Sequence, residues 1–525
     1  MQTAQPRAPT QSQPSGEAGN ANGASVRIEE SDLERRVAEV LDRWPSAGVA
    51  VAVVRDGSPK WFFSRGVADV DSGEPITDDT VFRIGSITKT FTAVAVMQLS
   101  EQGMVDLDAP ASDYLRAFPL VPAKESFRPT VRHLLTHTAG VGYWRRLADL
   151  RQPWIGAGDR AGRSGALPLA EYYRRGLPVE IEPGTKWAYS NHGFAALGQI
   201  VEDVSGQSLD RYLYEQILEP LGMNHTDLVR SERIRSRLAT GYVLRSRGLK
   251  PVADRDVPTP GGGGIYSTAA DLARYIATLQ QMYSGEQHLV LKPETLKSMF
   301  RPHFQPDARL PGMGLAFERG EESGHKTIGK TGIVSGFHSA MVLAPDDRIG
   351  VVALTNTGGL DGRNAMAPLA AGLVRRLLGI PAYAIRTDIP ARPETWGEIC
   401  GWYSPDPGPV TNLFTRALWG AGAEVMVRAG RLMLKPLHPM PAIRRGMRLH
   451  PEDPDDPWVF RVEMPEYGIN FRVVFSQTSD RGRTVTRLLT DMFSFQTRPD
   501  ARNPRHLAGG ALVAGATAIA VRHRR

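Results

Sequence analysis

"SGHKTIGKTGIVSGF", residues 323–337, carries two incompatible signatures. Gly324 to Thr331 matches G-x-x-x-x-G-K-T, the loop whose backbone cradles phosphates at the start of a helix. Lys330-Thr331-Gly332 is also K-T-G, a triplet that accompanies a reactive serine in acyl-transfer enzymes. A phosphate loop must end a strand and open a helix, because the helix N-terminus supplies the N–H groups that bind the anion. Here Gly332 and Gly336 would fall in the first turns of that helix. The next stretch, "HSAMVLAPDDRIGVVALTN", reads instead as apolar run, turn, apolar run, which is a hairpin. Nor does "GVVALTN" end in an acid that would hold Mg²⁺. The nucleotide reading fails on context.

The acyl-transfer reading makes demands elsewhere in the chain. "FRIGSITKTF" contains Ser86-Ile87-Thr88-Lys89, an S-x-x-K at the start of a predicted helix. A spacing of three places both side chains on one helical face, about 5–6 Å apart at Cβ. A free serine hydroxyl is a weak nucleophile and needs a neighbouring base. Lysine serves if burial and a second cation, for which Lys330 is the candidate, lower its pKa. By itself the motif is common, and Ser86 also suits a helix N-cap. "WAYSNHGFAALGQI" then supplies Tyr189-Ser190-Asn191, a Y-x-N with a phenol suited to acid and base work. Three short motifs in this order, each on fitting local structure, carry weight that none has singly.

With these residues in hand, the chain resembles the serine β-lactamase and penicillin-binding-protein superfamily, in its class C, esterase-like branch. "VRHLLTHTAGV", "EPLGMNHT" and "GGGGIYSTAADLARY" add to the likeness, which spans roughly residues 30 to 380. The resemblance implies an α+β fold, an antiparallel sheet flanked by helices plus a helical subdomain, with the site between them. It also implies roles: Ser86 as nucleophile, Lys89 and Tyr189 as proton carriers, and the backbone N–H groups of Ser86 and Ile333 as oxyanion hole. Asn191, Lys330, Thr331 and Gly332 would bind substrate, an ester- or amide-bearing small molecule or peptide. This chemistry calls for no metal or organic cofactor. The alternative from another class is a non-catalytic scaffold that kept the fold.

Around this unit the texture changes. Residues 1–28 are rich in Gln, Pro, Ser, Gly and Asn and read as disordered, with no apolar core of a secretory signal. Residues 29–382 form the expected catalytic domain, and 383–393 a linker. Short β-rich pieces recur over 394–498 and predict a smaller all-β barrel, similar to the lipocalin-like barrel on some family members. In the 499–525 tail, Leu507 to Val521 is uncharged and apolar. It is shorter than the about 20 residues that span hydrocarbon, so a frayed or surface helix is expected and a membrane-associated tail is the alternative. With no export signal, a cytoplasmic location is expected.

Composition narrows the field further. One cysteine, Cys400, excludes an intrachain disulfide framework and a cysteine-built metal cluster. The net charge of +7 is small beside 63 scattered basic residues, which argues against nucleic acid as partner. His133 and His137 stand at zinc-ligand spacing but lack the H-E-x-x-H glutamate, so a structural role near the site entrance is expected. The "GGGGIYS" run is expected to be a turn needing unusual φ values. No G-x-S-x-G occurs, which removes the α/β-hydrolase elbow. "HPEDPDDP" lacks Ca²⁺-loop spacing and reads as a solvated loop.

Overall fold

A computed structural model describes residues 30–142, 168–359, 365–380, 385–405, 422–438, 441–464, 469–480, 483–491 and 493–498. The expectations for 1–28 and for the tail fall outside the described residues.

The first helix is α1, Glu30–Arg43, with Leu33, Val37 and Val40 buried. A hairpin follows as β1, Gly48–Arg55, and β2, Ser58–Gly66. Strands β3, Glu318–Glu322, β4, His325–Val334, β5, Phe337–Ala344, and β6, Ile349–Thr355, complete a six-stranded antiparallel sheet in the order β2-β1-β6-β5-β4-β3. Lys330-Thr331-Gly332 thus lie inside a strand, with no helix opening after them.

Successive strand residues face opposite sides, and in β1 both sides are buried. Val49, Val51 and Val53 pack with α1 and the closing helix, α5 in this chain (Met366–Leu377). Ala50, Ala52 and Val54 face the larger core, which includes Phe91, Leu272 and Ile276. Those three come from α2, Thr88–Glu101, and α4, Ala269–Ser284. Between them in sequence runs α3, Asn191–Ser205, whose N-cap Ser190 accepts a hydrogen bond from the N–H of Gly193. Eleven of the fourteen residues of α2 are buried, polar Thr88, Lys89, Thr90 and Thr92 included. An all-round buried helix of this kind runs through the interior, so it carries Lys89 into it.

Beyond residue 400, strands β7 (Gly401–Pro405), β8 (Ala423–Arg428), β9 (Arg431–Pro436), β10 (Met447–Arg448), β11 (His450–Pro451), β12 (Val459–Met464), β13 (Ile469–Asp480), β14 (Arg483–Thr490) and β15 (Phe493–Arg498) form a nine-stranded, nearly closed barrel-like sheet. Its end strands, β10 and β11, are separated only by Leu449. Tyr403, Val425, Leu434, Val462 and Phe475 fill its core.

A clasp centred on Arg309 ties the barrel to the rest of the chain. Arg309 pairs with Asp456 at 2.7 Å and donates to the carbonyl of Phe475 at 2.9 Å. Arg472 donates back to the Arg309 carbonyl at 2.9 Å. Leu310, next along, is buried among Val459, Val474 and Leu489. Among the described residues, no helix is long and apolar enough to cross a membrane.

Candidate functional site

Ser86 sits in a 3₁₀ turn, Gly85–Ile87, that leads directly into α2. It caps no helix. The N-cap of α2 is Ile87 and carries no side-chain cap, so the hydroxyl is not spent on the backbone. Strand β4 presses on this turn from the side. A Cβ on Gly332 would lie 2.0 Å from the Ile84 carbonyl and 2.4 Å from Ser339 Oγ, which itself donates to that carbonyl. Only glycine permits this approach. A Cβ on Gly85 would likewise sit 2.9 Å from the nitrogen of Ile333, which places the Ile333 amide beside the turn.

The three motif segments converge. Ser86 Oγ and Tyr189 Oη are 2.6 Å apart, and Lys89 Nζ donates to Ser86 Oγ at 3.0 Å. The same ammonium donates to Asn191 Oδ1 at 2.6 Å and to the Gly262 carbonyl. In its neutral form the amine keeps two protons, for Asn191 and Gly262, and its lone pair meets the Ser86 hydroxyl. Lys89 is fully buried and Lys330 is 1% exposed. Burial, then the charge of Lys330, holds the Lys89 pKa well below its ordinary value. Burial acts on Tyr189 in the opposite sense: its phenol is pushed above its ordinary value, only partly offset by the bond to Ser86. The shift eases loss of the lysine proton, and the tyrosine is held in its neutral, proton-donating form.

Lys330 is less available than its motif suggests. Its Nζ pairs with Glu318 Oε1 at 2.6 Å and lies 5.2 Å from the centre of the Tyr189 ring. Lys89 lies 5.0 Å from the same centre, so both amine nitrogens sit close to one aromatic ring. Glu318 belongs to β3, where its register partner is Gly329, one residue before Lys330.

Two expectations need correction. His137 is not at an entrance: it is 2% exposed and lies against Tyr189, with ring centres 4.5 Å apart. Its Nδ1 accepts the N–H of Ser190, and burial plus the charges of Lys330 and Lys89 keep the ring neutral. His133, in turn, closes a capping box with Thr130 at the short helix Val131–Leu135. The glycine run is not a turn of unusual φ either. Pro260–Gly263 is one helical turn, and none of Gly261 to Gly264 has positive φ. Its glycines serve proximity, since a Cβ on Gly261 would lie 2.7 Å from the Phe194 carbonyl of α3. That closeness brings the Gly262 carbonyl to Lys89.

Sequence reasoning missed or misplaced four contributors. The Gly262 carbonyl has no side chain to announce it. Glu318 has no motif and becomes visible only once β3 and β4 are paired. His137 was seen but misplaced. The fourth comes from the barrel: Phe493, at the start of β15, meets Trp187 edge-on at 5.0 Å, and Trp187 lies 5.9 Å from Tyr189.

This geometry agrees with what the chain is similar to. Esterase EstB of Burkholderia gladioli is 32% identical over 309 residues, 51% of this chain and 74% of that protein. The D-alanyl-D-alanine-carboxypeptidase/endopeptidase AmpH of Escherichia coli strain K12 is 27% identical over 360 residues, 66% of this chain and 90% of that protein. Among solved structures, the octameric penicillin-binding protein homologue from Pyrococcus abyssi superposes with a TM-score of 0.58 at 25% identity, covering 90% of this chain and 100% of that one. A family profile described as Beta-lactamase matches residues 33–375. The chain belongs to the beta-lactamase family of serine hydrolases.

Proposed function

We propose that the chain hydrolyses ester or amide bonds through a covalent acyl-enzyme on Ser86. One observation carries this reading: Ser86 Oγ lies within 3.0 Å of a buried lysine amine and 2.6 Å of a neutral phenol. Neutral Lys89 takes the hydroxyl proton as Oγ bonds to the substrate carbonyl carbon. Charge that develops on the carbonyl oxygen is met by the N–H groups of Ser86 and Ile333. Tyr189 hands its proton to the departing oxygen or nitrogen and is reprotonated from Lys89. A water then attacks the acyl carbon, and its proton returns to Ser86 by the same path. Asn191 fixes the Lys89 amine, while Thr331 and Gly332 present the β4 edge to the substrate.

The pairing of Lys330 with Glu318 bears on the substrate. With that cation already partnered, the site favours uncharged esters and amides over molecules bearing a free carboxylate. We assign residues 29–382 to the catalytic domain and 394–498 to the barrel domain, joined by 383–393. The test is labelling with a fluorophosphonate probe together with turnover of p-nitrophenyl acetate. Both are expected in the native chain and both should vanish in Ser86→Ala. Retained labelling would overturn the nucleophile assignment.

A further inference from the structure

Tyr189 sits on a stretch of chain with no regular structure of its own. Residues 186–190 belong to no helix or strand, so no strand ladder or helical turn fixes the phenol that meets Ser86. Ser190 Oγ is spent on α3, where it accepts the N–H of Gly193, and on the carbonyl of Gly142. The main chain around Tyr189 is held instead by a residue from another segment. The carbonyl of His137 accepts the N–H of Ala188 at 2.8 Å, and its Nδ1 accepts the N–H of Ser190 at 3.2 Å. Those two amides flank Tyr189. The His137 ring centre also lies 4.5 Å from that of Tyr189 and 5.1 Å from that of Phe194 in α3.

The residue type at 137 needs a reason. His137 follows the short helix Val131–Leu135 and its C-cap Thr136, with a φ of 59°. Helices commonly end on such a left-handed residue, and glycine or asparagine takes that conformation with least strain. Because Nδ1 accepts, the neutral ring carries its proton on Nε2, which is buried without a hydrogen-bond partner among the described residues. An unmade buried donor is unfavourable, so the benefit of the imidazole lies at Nδ1 and in its ring contacts. The ring must also stay neutral, since a protonated Nδ1 would face the Ser190 N–H as a second donor. Burial and the charges of Lys330 and Lys89 oppose that proton.

We propose that His137 is a positioning residue for acyl transfer: by holding the main chain on both sides of Tyr189, it keeps the phenol directed at the departing group. This role rests on Tyr189 acting as proton donor to that group. Misplacing a reacting group by about 1 Å is enough to slow a reaction by about 10²-fold.

The test compares kcat and KM for p-nitrophenyl acetate and for phenyl acetate, whose poorer leaving group depends more on a delivered proton. Rates are scaled to the fraction of chains that a fluorophosphonate probe labels, so sites lost to misfolding cancel. His137→Phe keeps a ring against Tyr189 but lacks the acceptor, while the main-chain bond to Ala188 remains available. Its kcat should fall about tenfold on p-nitrophenyl acetate and several-fold further on phenyl acetate, with KM within about twofold of native. His137→Asn tolerates positive φ and carries an oxygen as many bonds from the backbone as Nδ1, so it should restore kcat to within about threefold of native. In a Tyr189→Phe background, His137→Phe should cost less than about twofold more, because the proton it positions is already gone. If His137→Phe fails to fold, His137→Gly, which suits the φ and removes the acceptor, should show the same dependence on leaving group. Equal losses on both esters after scaling would overturn the role, as would full additivity with Tyr189→Phe. Turnover retained in Ser86→Ala would overturn the acyl-enzyme reading and this role with it. Turnover lost in Ser86→Ala, with equal ester losses in the His137 variants, would overturn the role of His137 alone.

Discussion

In β1 of the six-stranded sheet, seven of eight residues are buried, whereas β9 of the barrel alternates exposed or half-covered residues with buried Leu432, Leu434 and Pro436. The first sheet has helices on both faces and is written as an unbroken apolar run. The second has one face on its core and one toward water, and is written as an alternation. The difference decides where chemistry can sit. Cover on the helical sheet thins toward β4, where Lys330 is buried but Thr331 and Ile333 are half open. A site needs that boundary, with low-dielectric walls that shift a lysine pKa and an open side for substrate. The barrel reaches the site through Phe493, which packs on Trp187.

This contrast can be broken or sharpened by measurement. The largest effect is expected from Lys89→Met, which removes the buried base. Turnover of p-nitrophenyl acetate should fall by about 10³–10⁴-fold with circular dichroism unchanged. A fall of less than tenfold would mean that burial beside β4 is not what activates Ser86. Tyr189→Phe should cost about 10²-fold in kcat, because the ring still fills its place while proton transfer is lost.

Glu318→Gln removes the one carboxylate that raises the Lys89 pKa. Lys89 should then lose its proton at lower pH, and the acidic limb of the pH–rate profile should move downward by less than about one unit. Anionic esters should gain on neutral ones by several-fold. A limb that moves upward would contradict the electrostatic account.

The barrel side has its own titration. Burial pushes the Asp491 carboxyl up to about 6, opposed by Arg461 and Arg472. The folded chain therefore holds a proton there that the unfolded chain gives up near pH 4. Stability attributable to this group is complete below about pH 4 and is lost as pH rises through about 6. Asp491→Asn should raise stability at pH 7 by about 1–2 kcal/mol and leave it unchanged at pH 4, as read by denaturant midpoints. The smallest effect is expected from Phe493→Ala, about 1 kcal/mol from one edge-on aromatic pair. If that substitution also changes the KM for bulky esters more than for acetate, the turn is a wall of the site as well as a contact.

Legibility in the sequence followed the same division. Ser86, Lys89, Tyr189, Asn191 and Lys330 were readable because their residue types recur at fixed short spacings on predictable local structure. The hairpin β5–β6 was readable as apolar run, turn, apolar run, and helix α2 from the segment that opens at Ser86. Glu318 was not, because strand pairing rather than spacing sets it beside Lys330. The Gly262 carbonyl was not, because backbone groups leave no letter. The alternation in β8 and β9 announced a half-covered sheet, but nothing in it announced which turn would reach Trp187. Pairings that close over long stretches of chain depend on tertiary packing, which local pattern does not encode.

Leu310 and Arg309 set a limit on how the chain could be divided. Leu310 is seated among Val459, Val474 and Leu489, and Arg309 spans to Asp456. Severing the chain at 383–393 and separating the pieces would leave an apolar knob on one fragment and its open socket on the other. Each would present a sticky patch to its neighbours, so the two halves should be produced, melted and stored as one body.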